Sequence, residues 1–494
     1  MQSSKLTHQI LSLAGGTLLS LLIAAVTTPM ITRMVAPTVY GEYSLFNTWC
    51  SLVVMLCSLG LDQTFLRYFY TSPEAAVQRR FLRFCLGIPL TLTALCALLL
   101  LLSQWRETSG RNIVLILSFI LFLVLQTVNR AGMLVLRLKY RTHLYGSLTV
   151  LRKAVYAAGV LLGVFLFGAD SLPVLLIPAL AALGLCVMAE LFAERKFWFR
   201  TRLADRSALN AAELLGYGLP LMAASVVFLV FQATDRFCVQ YFENLGQVGV
   251  YSSAQSIMGL FSVITSTFQT LWIPRAIQHF EKDPSDRRLY REVNEMMTVI
   301  MFSFGFIVLI CTDGLVLCLG ENYRQAASVI PFLLLVPVMN TVSETTVIGL
   351  AVTKHSAGHL KVMCGAAIAN FLGNILLTPV MGIQGAALST GLSYVLYFFL
   401  RTWTAGGCFR VVYPLKRFSF LTIWFCLMCW YQIGHSFSVL SLILLGTSLV
   451  LVGCLYPGAV QKLWSLAAAG LEEIRCSRLR SDSHHRQRGD SGSM

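Results

Sequence analysis

Two ionisable residues stand inside long apolar runs: Arg130 in "QTVNRAG" and Glu344 in "NTVSETT". An ionised group near the centre of a bilayer costs roughly 2.5–3.5 kcal/mol on insertion scales, so such residues usually line a cavity. If these two face one cavity, they can pair, or they can hold a phosphate and a coupling cation respectively. The plainer alternative is an ion pair that only locks helices together. Arg67 and Arg275 sit near the ends of apolar runs. A guanidinium presents a planar donor fork that bonds two phosphate oxygens at once and does not titrate away, so this pair could gather an anionic headgroup at a gate. Interfacial anchors that snorkel to water are the competing reading. Arg236 follows Asp235, which would offset it locally; Arg33 has no adjacent acid and suggests an anion contact facing a cavity. Asp62, in "LGLDQTF", is a candidate coupling site for protons or sodium, or else a helix-end cap or a partner of Arg67.

Such groups need an apolar scaffold to hold them, and composition supplies one. The 494 residues are 56% hydrophobic and only 12% charged, where soluble chains carry about 25% charged residues. Apolar runs of about 18 or more residues, each able to cross a hydrocarbon core of about 30 Å as a helix, recur along the chain. They fall near 10–32, 43–64, 84–103, 112–135, 148–169, 171–193, 213–234, 248–272, 293–312, 326–351, 361–380, 384–405, 418–433 and 436–456. The expected fold is therefore all-α integral membrane with about fourteen spans. In the 148–169 span, Arg152 and Lys153 fall in the first turn. Loops on one side carry 33 of the 38 basic residues, leaving Arg33, Arg106, Arg111, Arg236 and Arg324 on the other. Because Lys and Arg resist translocation, both termini are expected in the cytoplasm.

An internal echo organises these spans. "VAPTVYGEYSLF" begins at Val35 and "NLGQVGVYSSAQ" at Asn244; a shift of 208 superimposes Gly41, Tyr43, Ser44 and Arg67 on Gly249, Tyr251, Ser252 and Arg275. A shift of 214 brings Thr127, Val128 and Gly168 onto Thr341, Val342 and Gly382, and Arg130 onto Glu344. Six spans separate matched points, and an even number preserves orientation. Two parallel six-helix lobes related by an axis along the membrane normal follow: 1–206, then 207–410, with two further helices in 411–460 and a basic tail, 461–494, expected to be disordered.

Several function classes drop out. The net charge of +15 reflects basic loops beside anionic headgroups, so no nucleic-acid partner is expected. The fourteen cysteines are scattered through apolar runs, where thiols pack as small hydrophobes. Cys426 and Cys429 form a lone CxxC with no second pair, and His484 and His485 lie in the polar tail; no metal is expected. The first span is too long for a signal-peptide core. No P-loop, G-x-S-x-G or H-E-x-x-H occurs, so the chain is expected not to be an enzyme and to need no cofactor beyond proton or sodium coupling. Prolines 29, 89, 178, 220, 331 and 337 lie within spans and should bend them.

The phrases "MVAPTVYGEYSLFNTWCSLVVMLCSLGLDQTFLRYFY", "TDRFCVQYFENLGQVGVYSSAQSI" and "NILLTPVMGIQGAALSTGLSYVLYF" together resemble the polysaccharide transporter branch of the multidrug/oligosaccharidyl-lipid/polysaccharide exporter (MOP) superfamily, which includes the Wzx-type O-antigen flippases. The resemblance extends to about residue 456. It implies a MATE-like, V-shaped, two-lobed carrier in the bacterial inner membrane that flips undecaprenyl-pyrophosphate-linked oligosaccharide by alternating access. It also implies membrane lipids, a polysaccharide polymerase and a chain-length regulator as partners. Arg33, Arg67, Arg130, Arg236 and Arg275 are then the expected substrate contacts, with Asp62, Asp235 and Glu344 as coupling or ion-pair residues. A drug/cation antiporter of the same superfamily is the nearest rival and would prefer an acidic, aromatic cavity. A membrane polymerase or ligase, or an assembly scaffold, is the alternative of another class.

Overall fold

The computed structural model describes residues 19–69, 75–103, 110–199, 211–352, 356–435 and 437–465, together with residue 468. Lys5, Arg106, Arg200, Arg202, Arg206, Lys354, His484, His485 and the side chain of Arg111 lie outside these residues, as do the first part of the expected first span and most of the basic tail. Among the described residues all regular structure is helical. In chain order the helices are α1 (Leu19–Met34), α2 (Pro37–Ser58), α3 (Leu61–Tyr68), α4 (Ala75–Ser103), α5 (Gly110–Leu138), α6 (Thr142–Phe167), α7 (Pro173–Ala193) and α8 (Arg195–Phe199). The second half contains α9 (Ala211–Phe242), α10 (Leu245–Lys282), α11 (Arg288–Ile310), α12 (Thr312–Leu317), a 3-10 segment (Glu321–Ser328), α13 (Ile330–Leu333), α14 (Leu335–Thr346) and α15 (Ile348–Val352). The last are α16 (Ser356–Met381), α17 (Ile383–Cys408), α18 (Leu415–Gly434), α19 (Val439–Leu455) and α20 (Pro457–Ser465).

Nine of the described helices are long and apolar enough to cross a membrane alone, and twelve spans result if each bent pair counts as one. With α1 and α18 beside them, the expectation of about fourteen is met approximately, and the protein is a multi-pass membrane protein. Exposed Leu95, Leu98, Leu99 and Leu102 on α4 suit a face turned to lipid. Lipid gives helices little hydrophobic reason to associate, so tight packing must hold them. In the second half that role falls to aromatic rings: Phe302 of α11 meets Phe418 edge-on at 5.6 Å and Phe425 at 5.7 Å, while Phe398 of α17 stacks on Phe418 at 4.1 Å.

The sharpest breaks arise at identifiable residues. Between α2 and α3 the chain bends by 53° because Leu59 and Gly60 both adopt left-handed backbone, φ 47° and 69°, which stops a right-handed helix. The 56° break is followed by Pro331, the second residue of the next helix, and the 95° break by Pro457, the first residue of its helix. Pro89, Pro178 and Pro220 lie inside uninterrupted helices.

One boundary departs from expectation with consequences for charge. Tyr140 takes left-handed backbone, φ 56°, closing α5, and the next helix starts at Thr142, six residues ahead of the expected 148. The polar phrase "THLYGS" is two turns of helix. Arg152 and Lys153 therefore lie deep within α6, not in its first turn. Similarly Arg401, near the end of the expected 384–405 span, sits inside α17 and is buried.

Among the described residues the two halves of the chain approach backbone to backbone at two helix crossings. On the expected outer side α2 crosses α10 so closely that a Cβ on Gly41 would lie 2.0 Å from the Leu245 carbonyl oxygen, and one on Gly249 would lie 1.9 Å from that of Pro37. These contacts are mates of each other under the 208-residue shift. On the expected inner side Gly60 meets Gly218, where an added Cβ would come within 2.1 Å of the Gly218 oxygen. There Thr64 Oγ1 donates to the Leu214 carbonyl at 3.1 Å and the Tyr68 hydroxyl donates to Glu213 Oε1 at 3.0 Å.

Candidate functional site: a polar chamber between the halves

Between the crossings lies a cavity of about 580 Å³, within the range of about 300–1,000 Å³ usual for small-molecule sites. Helical periodicity builds its walls. Positions 40, 44, 47 and 51 of α2, 228, 232 and 236 of α9, and 252, 255, 259 and 262 of α10 recur every three or four residues, so each helix turns one stripe inward. The stripes read Tyr40, Ser44, Asn47, Ser51; Phe228, Gln232, Arg236; and Ser252, Gln255, Gly259, Ser262. Asn340 of α14 and Tyr394 of α17 complete the lining. Hydroxyls and amides are interleaved with aromatic faces and with the apolar Met258, Leu333, Val336 and Pro337. Beyond the chamber, the exposed side chains of Ser262, Ser266 and Thr270 carry a hydroxyl track along α10 toward its expected inner end.

Arg236 is the one cation among the lining residues. Its Nη1 donates to Thr48 Oγ1 at 2.9 Å and its Nη2 to Gln255 Oε1, while Nε is buried without a partner among the described residues. The expected local pair with Asp235 does not form. Successive helical residues point about 100° apart, and Asp235 turns into the second half. There Oδ2 accepts from the Tyr251 hydroxyl at 2.7 Å, and Oδ1 accepts from Thr390 Oγ1 at 2.6 Å, Asn374 Nδ2 at 3.0 Å and Asn370 Nδ2 at 3.2 Å. Asn370 Oδ1 beside it is buried with no donor among the described residues. Carboxylate, amide and hydroxyl oxygens are the ligand types of a hard cation, while the four donated hydrogen bonds favour the ionised carboxyl.

The other expected site residues lie elsewhere. Arg130 and Glu344 neither pair nor share a cavity. Arg130 Nη2 contacts Asp62 Oδ2 at 2.6 Å within the first half, and Asp62 owes its position to the break at Gly60, which places it in the first turn of α3, where the helix dipole favours an acid. Glu344 is buried against Arg401 Nη1, whose other bond goes to Ser343 Oγ at 2.7 Å. Each charge thus has its own partner. Arg33 does not enter the chamber: it donates to the Cys318 and Leu317 carbonyls at 3.0 and 3.2 Å, fastening α1 to the end of α12. Tyr323 supports this seal by donating to the Val35 carbonyl at 3.0 Å. Arg67 lies over the Tyr217 ring at 4.9 Å. Arg275 lines a surface cavity of about 430 Å³ with His279, Lys282 and Asp286; the Arg288 backbone N–H and the His279 ring hold the Asp286 carboxyl below its ordinary range.

The residues expected at the site do not include Arg152, Lys153 and Arg401, which lie toward the ends of the expected spans, or Asn370 and Asn374, whose four-residue spacing in "NFLGN" puts both amides on one face of α16.

A family model described as "Polysaccharide biosynthesis protein" matches residues 6–280. Among solved structures, the chain is similar to the lipid II flippase MurJ in an inward closed conformation, at 12% identity, with 91% of this chain and 99% of that one covered and a TM-score of 0.65. It is also similar to a point mutant of the Vibrio cholerae MATE transporter VcmN, at 14% identity, 82% and 98% coverage and a TM-score of 0.56. A third likeness is to an inward-facing multidrug resistance MATE family transporter of the MOP superfamily, at 12% identity, 79% and 93% coverage and a TM-score of 0.55. At these identities the likeness carries the fold, which is that of MOP superfamily transporters. No curated protein is similar enough to match the sequence.

Proposed function

The chain belongs to the polysaccharide biosynthesis protein family, and on that premise we propose that it is a flippase carrying undecaprenyl-pyrophosphate-linked oligosaccharide across a bacterial inner membrane. The observation that carries this reading is the lining of the chamber. Its hydroxyls and amides both donate and accept, as sugar hydroxyls require, aromatic faces cover sugar rings, and the one lining guanidinium favours an anionic ligand. A carrier of organic cations would need a carboxylate directed into the cavity. Asp235, the one lining acid, has both oxygens engaged in the second half. The MurJ likeness supports a lipid-linked substrate, since that protein is titled a lipid II flippase.

In the proposed cycle the sugar headgroup occupies the chamber while the prenyl tail stays in lipid, and no covalent bond changes. The Gly60–Gly218 crossing opens to admit the headgroup from the cytoplasm, where both termini lie. The Gly41–Gly249 crossing opens to release it to the periplasmic side, for a polymerase and chain-length regulator. Asp235 couples the cycle by exchanging its hydroxyl and amide donors for a proton or sodium ion. Reconstitution with a lipid-linked oligosaccharide whose headgroup can be modified only from outside tests the reading: the protein should render the inner-leaflet pool accessible. A pool that stays protected would reject the flippase assignment.

A further inference from the structure

A second cavity, of about 260 Å³, lies beside the chamber inside the first half and shares Tyr43 and Asn47 with it as a common wall. Its far side carries Arg152, Lys153, Tyr156 and Gln126. Arg152 is ten residues into α6, about 15 Å along the helix axis, or halfway across a core of about 30 Å. That is too deep for a topology anchor. Lys153 Nζ donates to the Ser20 carbonyl of α1 at 2.9 Å and makes no ion pair among the described residues. Arg152 Nη1 reaches Asn129 Oδ1 at a loose 3.4 Å, and the Asn129 amide donates to Glu190 Oε1 at 2.6 Å. Glu190, on α7, makes no ion pair with Arg152 among the described residues; Asn129 bonds to both. The Tyr156 ring stacks on Tyr43 at 6.0 Å, and its hydroxyl is buried with no hydrogen bond of acceptable geometry among the described residues.

We infer that this compartment is an anion site for a diphosphate, with Arg152 and Lys153 as its charges and the Tyr156 hydroxyl as an additional donor. Two adjacent cations held at mid-depth, with Asn129 between Arg152 and Glu190, leave positive charge facing a small polar cavity. A diphosphate answers that charge. The guanidinium takes two oxygens by its fork and the ammonium acts as a point charge. Identifying the ligand as the diphosphate of a lipid-linked glycan rests on the flippase reading. The glycan then extends past Tyr43 and Asn47 into the larger chamber, and charge and sugar are read in separate compartments.

The test is equilibrium binding of inorganic pyrophosphate to the full chain in nanodiscs of zwitterionic lipid, with a short polyprenyl diphosphate and the matching prenyl alcohol as further ligands. Wild type should bind both diphosphates and not the alcohol. Lys153→Gln and Arg152→Gln should each weaken binding by about tenfold to hundredfold, the usual scale for losing a charge-assisted hydrogen bond. Lys153→Arg should retain it, and Arg288→Gln, at the protein surface, should leave it unchanged. Absence of pyrophosphate binding by wild type, or equal binding by wild type and both glutamine variants, would overturn the site. Binding of the prenyl diphosphate alone would do the same, because it would place recognition in the tail. A wild type that binds pyrophosphate but moves no lipid-linked glycan would support the anion site and refute the flippase reading alone.

Discussion

Ser44 and Ser252 are 208 residues apart in the chain, and their hydroxyl oxygens meet at 2.8 Å. They are also the residues that the internal repeat places on each other. In the expected two-lobe arrangement equivalent positions would touch only at the axis relating the lobes, and this contact would place that axis between α2 and α10. A mirrored pair of glycine contacts one turn away, Gly41 on Leu245 and Gly249 on Pro37, follows the same axis. The chamber opens immediately below, and motion about this seam would alter its access.

Replacing Gly249 by valine should force the outer crossing apart. An added Cβ falls 1.9 Å from the Pro37 oxygen, and backbone cannot yield as a flexible side chain does. Overpacking of about 1–3 kcal/mol corresponds to a shift of about 5- to 150-fold in population toward states open on the outer side. Labelling of a cysteine placed at Tyr40 by an impermeant maleimide added outside should accelerate accordingly; an unchanged rate would show that the crossing is no gate.

Gly60→Ala should act in the opposite direction. The position has φ 69°, which costs an L residue about 1–2 kcal/mol, and the new methyl would meet the Gly218 oxygen at 2.1 Å. Labelling of the same chamber cysteine should become faster from the cytoplasmic side and slower from outside. Faster labelling from both sides would indicate general loosening instead.

Removing one member of the Glu344–Arg401 pair should destabilise the fold more than it impairs binding. Arg401→Met leaves a buried carboxylate without its partner, a loss of about 3–5 kcal/mol when such pairs are broken. The purified variant should melt well below wild type, and adding Glu344→Leu should restore most of the difference. Full stability of Arg401→Met would argue that Glu344 is already neutral.

Asp235→Asn should uncouple transport while preserving side-chain shape. The variant should still equilibrate headgroups across proteoliposomes but should no longer respond to an imposed proton or sodium gradient. Undiminished gradient-driven accumulation would move the coupling residue elsewhere.

The all-helical, multi-span frame was legible in sequence, because span length and apolar composition are properties of a line of residues. The direction in which each charge points was less so. Asp235 and Arg236 are adjacent in sequence yet point about 100° apart around α9 and find different partners; adjacency suggested a pair that does not form. Arg130 and Glu344 match under the repeat, but each is satisfied by a residue, Asp62 or Arg401, that has no counterpart in the other half. The depth of Arg152 and Lys153 was hidden by "THLYGS", whose polar residues resemble a loop and form helix because Tyr140 has already made the turn. Arg33 resembled a cavity charge for want of a nearby acid; its partners are carbonyl oxygens, which carry no signal in a sequence.

The most direct test of the account locks the seam. With the exposed cysteines Cys311, Cys318, Cys408 and Cys454 replaced by alanine, Ser44→Cys and Ser252→Cys would place two thiols where the hydroxyls now meet, within reach of a disulfide. In proteoliposomes loaded with lipid-linked oligosaccharide, the oxidised protein should leave inner-leaflet headgroups protected, and reduction should restore their exposure to the level of the parent. Equal headgroup movement with the bond formed and broken would contradict alternating access through this chamber.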